Sequence, residues 1–313
     1  MTMSPQDGKS ILVMGEAILD LVATAADPKV FDSATGGSSF NTALALGRLG
    51  IATEFAGALA HDVNGEAFAQ KLTEAHVGLR WCQRSRQPMP IALARSDAAT
   101  GAVDFTLYLQ GTAHEERDAL PDPLPDDIAH LHAASFRCLL GPQGERALAA
   151  MHAARERMSV SFDPNIRPSL MPERSETVRL VEARIQACTL AKASDMDIAW
   201  LYPDQPLEQV ARHWLALGAE LVVITGGATG ATATWTGGSI TCVPPHVTVV
   251  DTVGAGDSFT AGLLAALRGE NRLGSCRLNP DPDAVGRWLA QANKVAALTC
   301  TRRGSEPPWS HEL

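Results

Sequence analysis

The chain has 313 residues, 45% of them hydrophobic and 19% charged. That excludes wholesale disorder and leaves room for one large domain or two small ones. A formal net charge of -9 argues against nucleic acid or an acidic membrane as the main partner, although backbone N–H groups can still hold a phosphate on an acidic protein.

From the N-terminus, short apolar runs alternate with longer amphipathic stretches. Residues 11–14 read as a buried strand, 42–49 as a helix stopped by Gly50, and 65–75 as a second helix. Residues 128–133 and 159–162 read as strands around a helix over 144–157, and 175–188 is again helical. A helix over 207–217 ends at Gly218 and runs into a strand at 221–224. A Gly-, Asn- and Pro-rich surface loop at 268–283 precedes the last helix, 283–298. Such alternation predicts an α/β fold, a mostly parallel central sheet between two layers of helices. Two stretches break the rhythm. Residues 17–35 and 88–113 have strand chemistry without long helices beside them, and 97–101 has the composition of a hairpin turn. They predict a small β lid on a single domain spanning 1–313.

Six cysteines, at 82, 138, 188, 242, 276 and 300, fit neither a zinc cluster nor a disulfide framework. They read as reduced core residues of a cytoplasmic protein. The first residues lack the apolar core of a signal peptide. No run of about 18 apolar residues suggests a membrane span. His130 and His132 have no further paired ligands nearby and read as the end of a strand.

The most informative stretch runs from Val249 through Asp251, Val253, Gly254, Ala255, Gly256 and Asp257 to Gly262. It reads as a strand end, a glycine turn and a helix of small and apolar residues. The N–H groups of Ala255, Gly256 and Asp257 would point out of the helix start and, with the helix dipole, form an anion site. The same dipole favours a carboxylate at Asp257, which could accept the proton of an attacking hydroxyl. Taken alone, Asp257 reads more readily as an ordinary N-cap, and the rest of the chain must supply the context for a catalytic role. There is no G-x-x-x-x-G-K-[ST], which excludes a P-loop NTPase, and no G-x-G-x-x-G after the first strand, which speaks against a dinucleotide fold.

The string D-T-V-G-A-G-D-S-F-T-A-G over 251–262 resembles the C-terminal signature of the ribokinase-like (PfkB) carbohydrate kinases. G-G-S-S-F-N over 36–41 resembles their N-terminal signature, and G-E-A-I-L-D over 15–20 their first-strand motif. Within the family, F-D-P-N-I-R-P over 162–168, K-A-S-D-M-D-I-A-W-L over 192–201 and the ending at 300–309 are similar to bacterial fructokinases.

The resemblance implies an ATP-dependent sugar kinase of ribokinase-like fold, with Asp257 as catalytic base and Gly254, Ala255 and Gly256 in the anion hole. It implies sugar contacts from Asp20, Gly36, Gly37, Asn41, Asn165 and Arg167. It places the nucleotide near Thr225, Gly227, Gly230 and Asn293. It implies magnesium with the ATP, and potassium near Asp251 and Val253. In relatives, lids pair into homodimers. Ser194 stands where many relatives have the Asn of an N-x-x-E motif, with Asp197 at its acidic end. Gln110 stands near where kinases of acidic sugars carry Tyr and Arg, which favours an uncharged ketohexose. Phosphorylation of D-fructose to fructose 6-phosphate is the leading expectation. Ribose, 2-keto-3-deoxygluconate, a nucleoside, or an inactive binding protein are the alternatives.

Overall fold

The computed structural model describes residues 8–24, 27, 29–96 and 103–313. The hairpin turn expected at 97–101 lies outside them. The chain opens with β1 (Ser10–Met14) and passes directly into β2 (Ile18–Ala23) and β3 (Phe31–Gly36). It continues through α1 (Ser38–Arg48), β4 (Thr53–Ala56), β5 (Ala58–Ala60), α2 (Val63–Glu74), β6 (Val77–Gly78) and β7 (Gln83–Ser85). After β8 (Ile91–Ser96) and β9 (Val103–Tyr108) come β10 (Ile128–Ala134), α3 (Gly141–Arg155), β11 (Ser159–Asp163) and α4 (Arg174–Gln186). Then follow β12 (Leu190–Ser194), α5 (Asp195–Leu201), α6 (Leu207–Leu217), β13 (Leu221–Thr225), β14 (Ala231–Trp235), β15 (Gly238–Cys242), α7 (Ala255–Gly269) and α8 (Pro282–Cys300).

Nine strands form the central sheet in the order β15-β14-β13-β12-β11-β10-β1-β4-β6. Seven are parallel; β14 and β15 fold back antiparallel at one edge. Alternate residues serve opposite faces, as the two-residue repeat of a strand requires. Ile11 and Val13 join Phe40, Phe68, Leu264 and Trp288 under α1, α2, α7 and α8. Leu12 and Met14 join Met151, Ile185, Ile198 and Trp214 under α3 to α6. The expected three layers are present. No helix among the described residues is long and apolar enough to cross a membrane.

The second sheet, β3-β2-β8-β9, is the lid. Ile18 and Ala92 from it pack on Phe136 of the body. Only Gly15, Glu16 and Ala17 lie between β1 and β2, so the lid starts where β1 delivers its carboxyl end.

Three expectations need correction. Helix α1 begins at Ser38, four residues before the predicted start at 42. The loop after α7 is not wholly superficial: Leu273 and Leu278 are buried. Glu220 accepts from the Leu278 N–H, and Arg272 grips Asn279 O and Asp281, so the segment is pinned down despite its turn-rich composition. His130 and His132 lie inside β10, not at its end, and both are buried.

Candidate active site

The carboxyl ends of β1, β10, β11, β12 and β13 form one edge, where open α/β sheets bind ligands. Glu16 follows β1, Ser135 follows β10, Asp163 ends β11, Ser194 ends β12 and Thr225 ends β13. The starts of α1 and α7 meet above that edge.

Asp257 lies in the first turn of α7, whose N-cap is Gly254 rather than Asp257 itself. Gly254 has φ 75, in the left-handed region, and a Cβ there would stand 1.9 Å from Ser305 Oγ. Only glycine makes this turn without strain. Among the described residues, the Gly256 and Asp257 N–H groups donate to no backbone carbonyl. The Ala255 N–H, counted with them from the sequence, turns back to Thr252 O at 3.2 Å. The free donors of the helix start are therefore those of Gly256 and Asp257.

Both carboxylate oxygens of Asp257 are held from α1. Ser38 Oγ donates to Oδ1 at 2.7 Å and Asn41 Nδ2 donates to Oδ2 at 2.8 Å. Asn41 is a buried helical residue here, not a cap. The Ser38 N–H in turn donates to Glu16 Oε1 at 3.1 Å. Burial raises the Glu16 carboxyl to about 7, against the opposing pull of Ser135, backbone donors and Arg167. Ser38 and Glu16 are not singled out by the sequence reading, although both lie inside the quoted signatures.

Asp20 reaches the same site from β2. It sits across from Ala34 in the β2–β3 ladder, and a Cβ on Gly36 would be 2.0 Å from its Oδ2. Gly36 thus makes room for the Asp20 side chain. Burial pushes the Asp20 carboxyl up to about 7; Arg167 works against this and the charge of Asp257 adds to it. Gly37 is the N-cap of α1.

The loop after β11 carries Asn165 and Arg167. The Asn165 N–H donates to Asp163 Oδ1 at 3.2 Å, and the Ile166 N–H to Asp197 Oδ1 at 2.8 Å. Arg167 is exposed and folds back onto Asn165 Oδ1 at 2.8 Å. Asp197 also accepts from the Ser194 N–H and hydroxyl, a capping box for α5. Ser194 therefore caps α5 and links β12 to the Arg167 loop.

In the segment expected to meet the nucleotide, Thr225 pairs with Ser194 across β12 and β13. The turn that follows is closed by the Gly226 N–H donating to Gly230 O at 2.8 Å, with Gly227 at its tip. Nearby α8, the loop after β15 and the C-terminal Leu313 border an open hollow of about 570 Å³ lined by Val243, Pro244, Val247, Ala290 and Lys294 among others. Asn293 stands behind that hollow, buried, with its amide donating to Cys242 O at 2.8 Å. Asp251 accepts from the Val253 and Gly304 N–H groups, and the Ser305 hydroxyl beside Gly254 is buried without a partner among the described residues.

The structure therefore gathers Asp20, Gly36, Gly37, Asn41, Asn165, Arg167 and Asp257 at one edge of the sheet. The profile of the pfkB family carbohydrate kinases matches residues 9–312. This chain belongs to that family. The kinase is 37% identical over 267 residues to a fructokinase of Rhizobium leguminosarum bv. trifolii, a match covering 84% of this chain and 81% of that one. It superposes on the fructokinase of Xylella fastidiosa with bound ATP at TM-score 0.86 and 25% identity, over 95% of this chain and 94% of that one. An aminoimidazole riboside kinase from Salmonella enterica, solved with aminoimidazole riboside and an ATP analog, shares the fold at TM-score 0.79 and 23% identity, over 95% of both chains. The kinase has the ribokinase-like fold and is a phosphotransferase acting on a sugar hydroxyl.

Proposed function

We propose that this kinase transfers the γ-phosphoryl group of ATP to D-fructose, giving fructose 6-phosphate, with Asp257 as the base. The observation that carries the reading is the placement of Asp257. Its carboxylate is aimed by Ser38 and Asn41 on the sugar side, while the Gly256 and Asp257 N–H groups face the phosphate side. Each carboxylate oxygen holds two lone pairs, so one can still accept from a sugar hydroxyl. Proton transfer to Asp257 would proceed as that hydroxyl attacks in line, and the N–H pair would take up the charge of the transferring group.

Asp20, Asn41, the backbone at Gly36 and Gly37, and Asn165 supply the paired donors and acceptors that a polyol needs. Arg167 lies within electrostatic reach of Asp20 and Glu16, and it would leave its bond to Asn165 to meet an oxyanion. Thr225, Gly227 and Gly230 would line the nucleotide phosphates, and the hollow between α8 and the loop after β15 suits a base. Magnesium, when bound with the nucleotide, would neutralise the β and γ oxygens, and Asp195, close to Gly226, would offer it a carboxylate. Potassium would sit with Asp251, Val253 and Ser305. The six free cysteines suit a reducing cytoplasm. Exposed Tyr108, on the face of the lid turned away from Asp20, supports a homodimer through that outer face; light scattering that finds only monomer at working concentration removes that part.

The deciding experiment is a sugar panel with ATP and magnesium. Fructose should give the highest kcat/KM. A better ribose or nucleoside value would move the substrate and keep the kinase; turnover of no sugar would sink the reading.

A further inference from the structure

A buried cation lies beneath the phosphate side, where the transfer chemistry does not by itself require one. The chain has five lysines, and Lys192 is only 6% exposed. Its ammonium donates to Asp163 Oδ2 at 2.7 Å. A Cβ on Gly256 would come within 3.3 Å of that ammonium. Lys192 therefore lies against the first turn of α7, beside Gly256, whose N–H is one of the two free donors of that turn.

Stability does not account for this arrangement. The other buried residues of β12 are Leu190, Ala191 and Ala193, and an apolar side chain in place of Lys192 would continue them. A buried ion pair seldom adds stability over apolar residues of similar size. The dipole of α7 moreover disfavours a cation at its positive end, and here the carboxylates of Asp163, Asp197 and Asp257 offset it. Burial opposes the charge on Lys192, but Asp163 beside it, with Asp197 and Asp257 further away, holds its pKa above the ordinary value. Burial raises the Asp163 carboxyl to about 6 while Lys192 holds it down. The 2.7 Å contact between them has the geometry of an ion pair. Asp163 also accepts from the Asn165 N–H, so the pair is fixed to the Arg167 loop.

We propose that Lys192 is a positioning residue of the phosphate cradle. Its ammonium, fixed by Asp163 behind the first turn of α7, adds a standing positive potential to the Gly256 and Asp257 N–H groups where the transferring phosphoryl group gathers charge. This rests on the kinase reading of the site. The charge acts most strongly in the transition state, so the sugar KM should change little and kcat should fall.

The test uses Lys192→Met and the double variant Asp163→Asn/Lys192→Met. The single change leaves Asp163 buried and unpaired, so it should lower the melting temperature as well as kcat. The double change removes both charges and should melt close to wild type. If Lys192 acts on the cradle, the double variant keeps its sugar KM within about twofold and loses kcat by about tenfold to a hundredfold. A double variant with near wild-type kcat would show that the pair only supports the fold, and overturns the proposal. Should the double variant not fold, NMR of the wild type with 15N-labelled lysine decides the matter. The buried ammonium resonance should move when ADP, aluminium fluoride and fructose are added together, and stay put with fructose alone. No movement with the full mixture overturns the proposal. The same spectrum can be taken with ADP and aluminium fluoride alone if wild-type enzyme turns over no sugar, which separates failure of the kinase reading from failure of this one.

Discussion

Strands β10, β11 and β12 present two very different faces. On one, Leu131 stands beside Val160 and Ala133 beside Phe162, packed under α3 to α6. On the other, His130 stands beside Ser159 and His132 beside Ser161, with Asp163 and Lys192 further along. Both faces are buried. The apolar face gains its stability from area removed from water. The polar face must satisfy its donors, and it does so with a ladder of hydrogen bonds at 2.7 to 2.8 Å; of the two imidazoles, only His132 Nε2 lacks a partner among the described residues. That ladder points along the strands to Asp163, Lys192 and the start of α7. Over these strands one face is given to packing under α3 to α6, while the other, which packs apolar at Ile11, Val13 and Leu190, also carries a polar ladder into the site.

If that division is real, substitutions should separate by face. At the site itself, Asp257→Ala should reduce kcat by about 10²- to 10⁴-fold while ATP binding persists. Wild-type turnover in this variant would remove the general base. Leu131→Ala, on the packing face, should cost about 2–5 kcal/mol of unfolding free energy and leave kcat of the folded enzyme within about twofold. Urea unfolding beside steady-state assays reads both, and a large loss of kcat in folded protein would erase the distinction between the faces. The smallest effect is acid sensitivity. Burial holds the His130 pKa well below its ordinary value, with His132 adding to the shift, and burial with Lys192 lowers His132 to about 3. Below about pH 6.5 the unfolded chain takes up protons at these positions and the folded chain does not, so acid removes stability. Glu16, Asp20 and Asp163, with raised values, act in the opposite sense over part of that range. Comparing His132→Asn with wild type cancels those carboxyls. Between pH 6 and 4 the variant should lose less stability than wild type, by up to about 1.4 kcal/mol per pH unit. Parallel urea midpoints across that range would sink the claim.

Much of the fold is legible in the sequence, and what is not has physical causes. The helix over 207–217 can be read with the bounds it has, because its apolar stripe and Gly218 stop agree. The glycine turn at 254–257 and the two strand pairs of the lid are equally plain. Strand β12 and helix α5 are not: Lys192 interrupts a five-residue strand, and α5 is too short to show a period. The first turn of α1 escapes a propensity reading because Ser38 and Ser39 are poor helix formers. Tertiary bonds override that preference, Ser38 to Asp257 and Ser39 to Met14 O. The partners of Asp257 cannot be read from spacing, since Ser38 and Asn41 lie far away in the chain. A lysine set in a run of small buried residues is the available signal for Lys192.

The grip of α1 on Asp257 has a consequence for how the enzyme comes into being. Asn41 and Asp257 are 216 residues apart, and Ser38 and Asp257 are 219 apart. A nascent chain that has made α1 but not yet residue 257 offers Ser38 and Asn41 no carboxylate to hold, so this contact ties the assembly of the site to the order of synthesis.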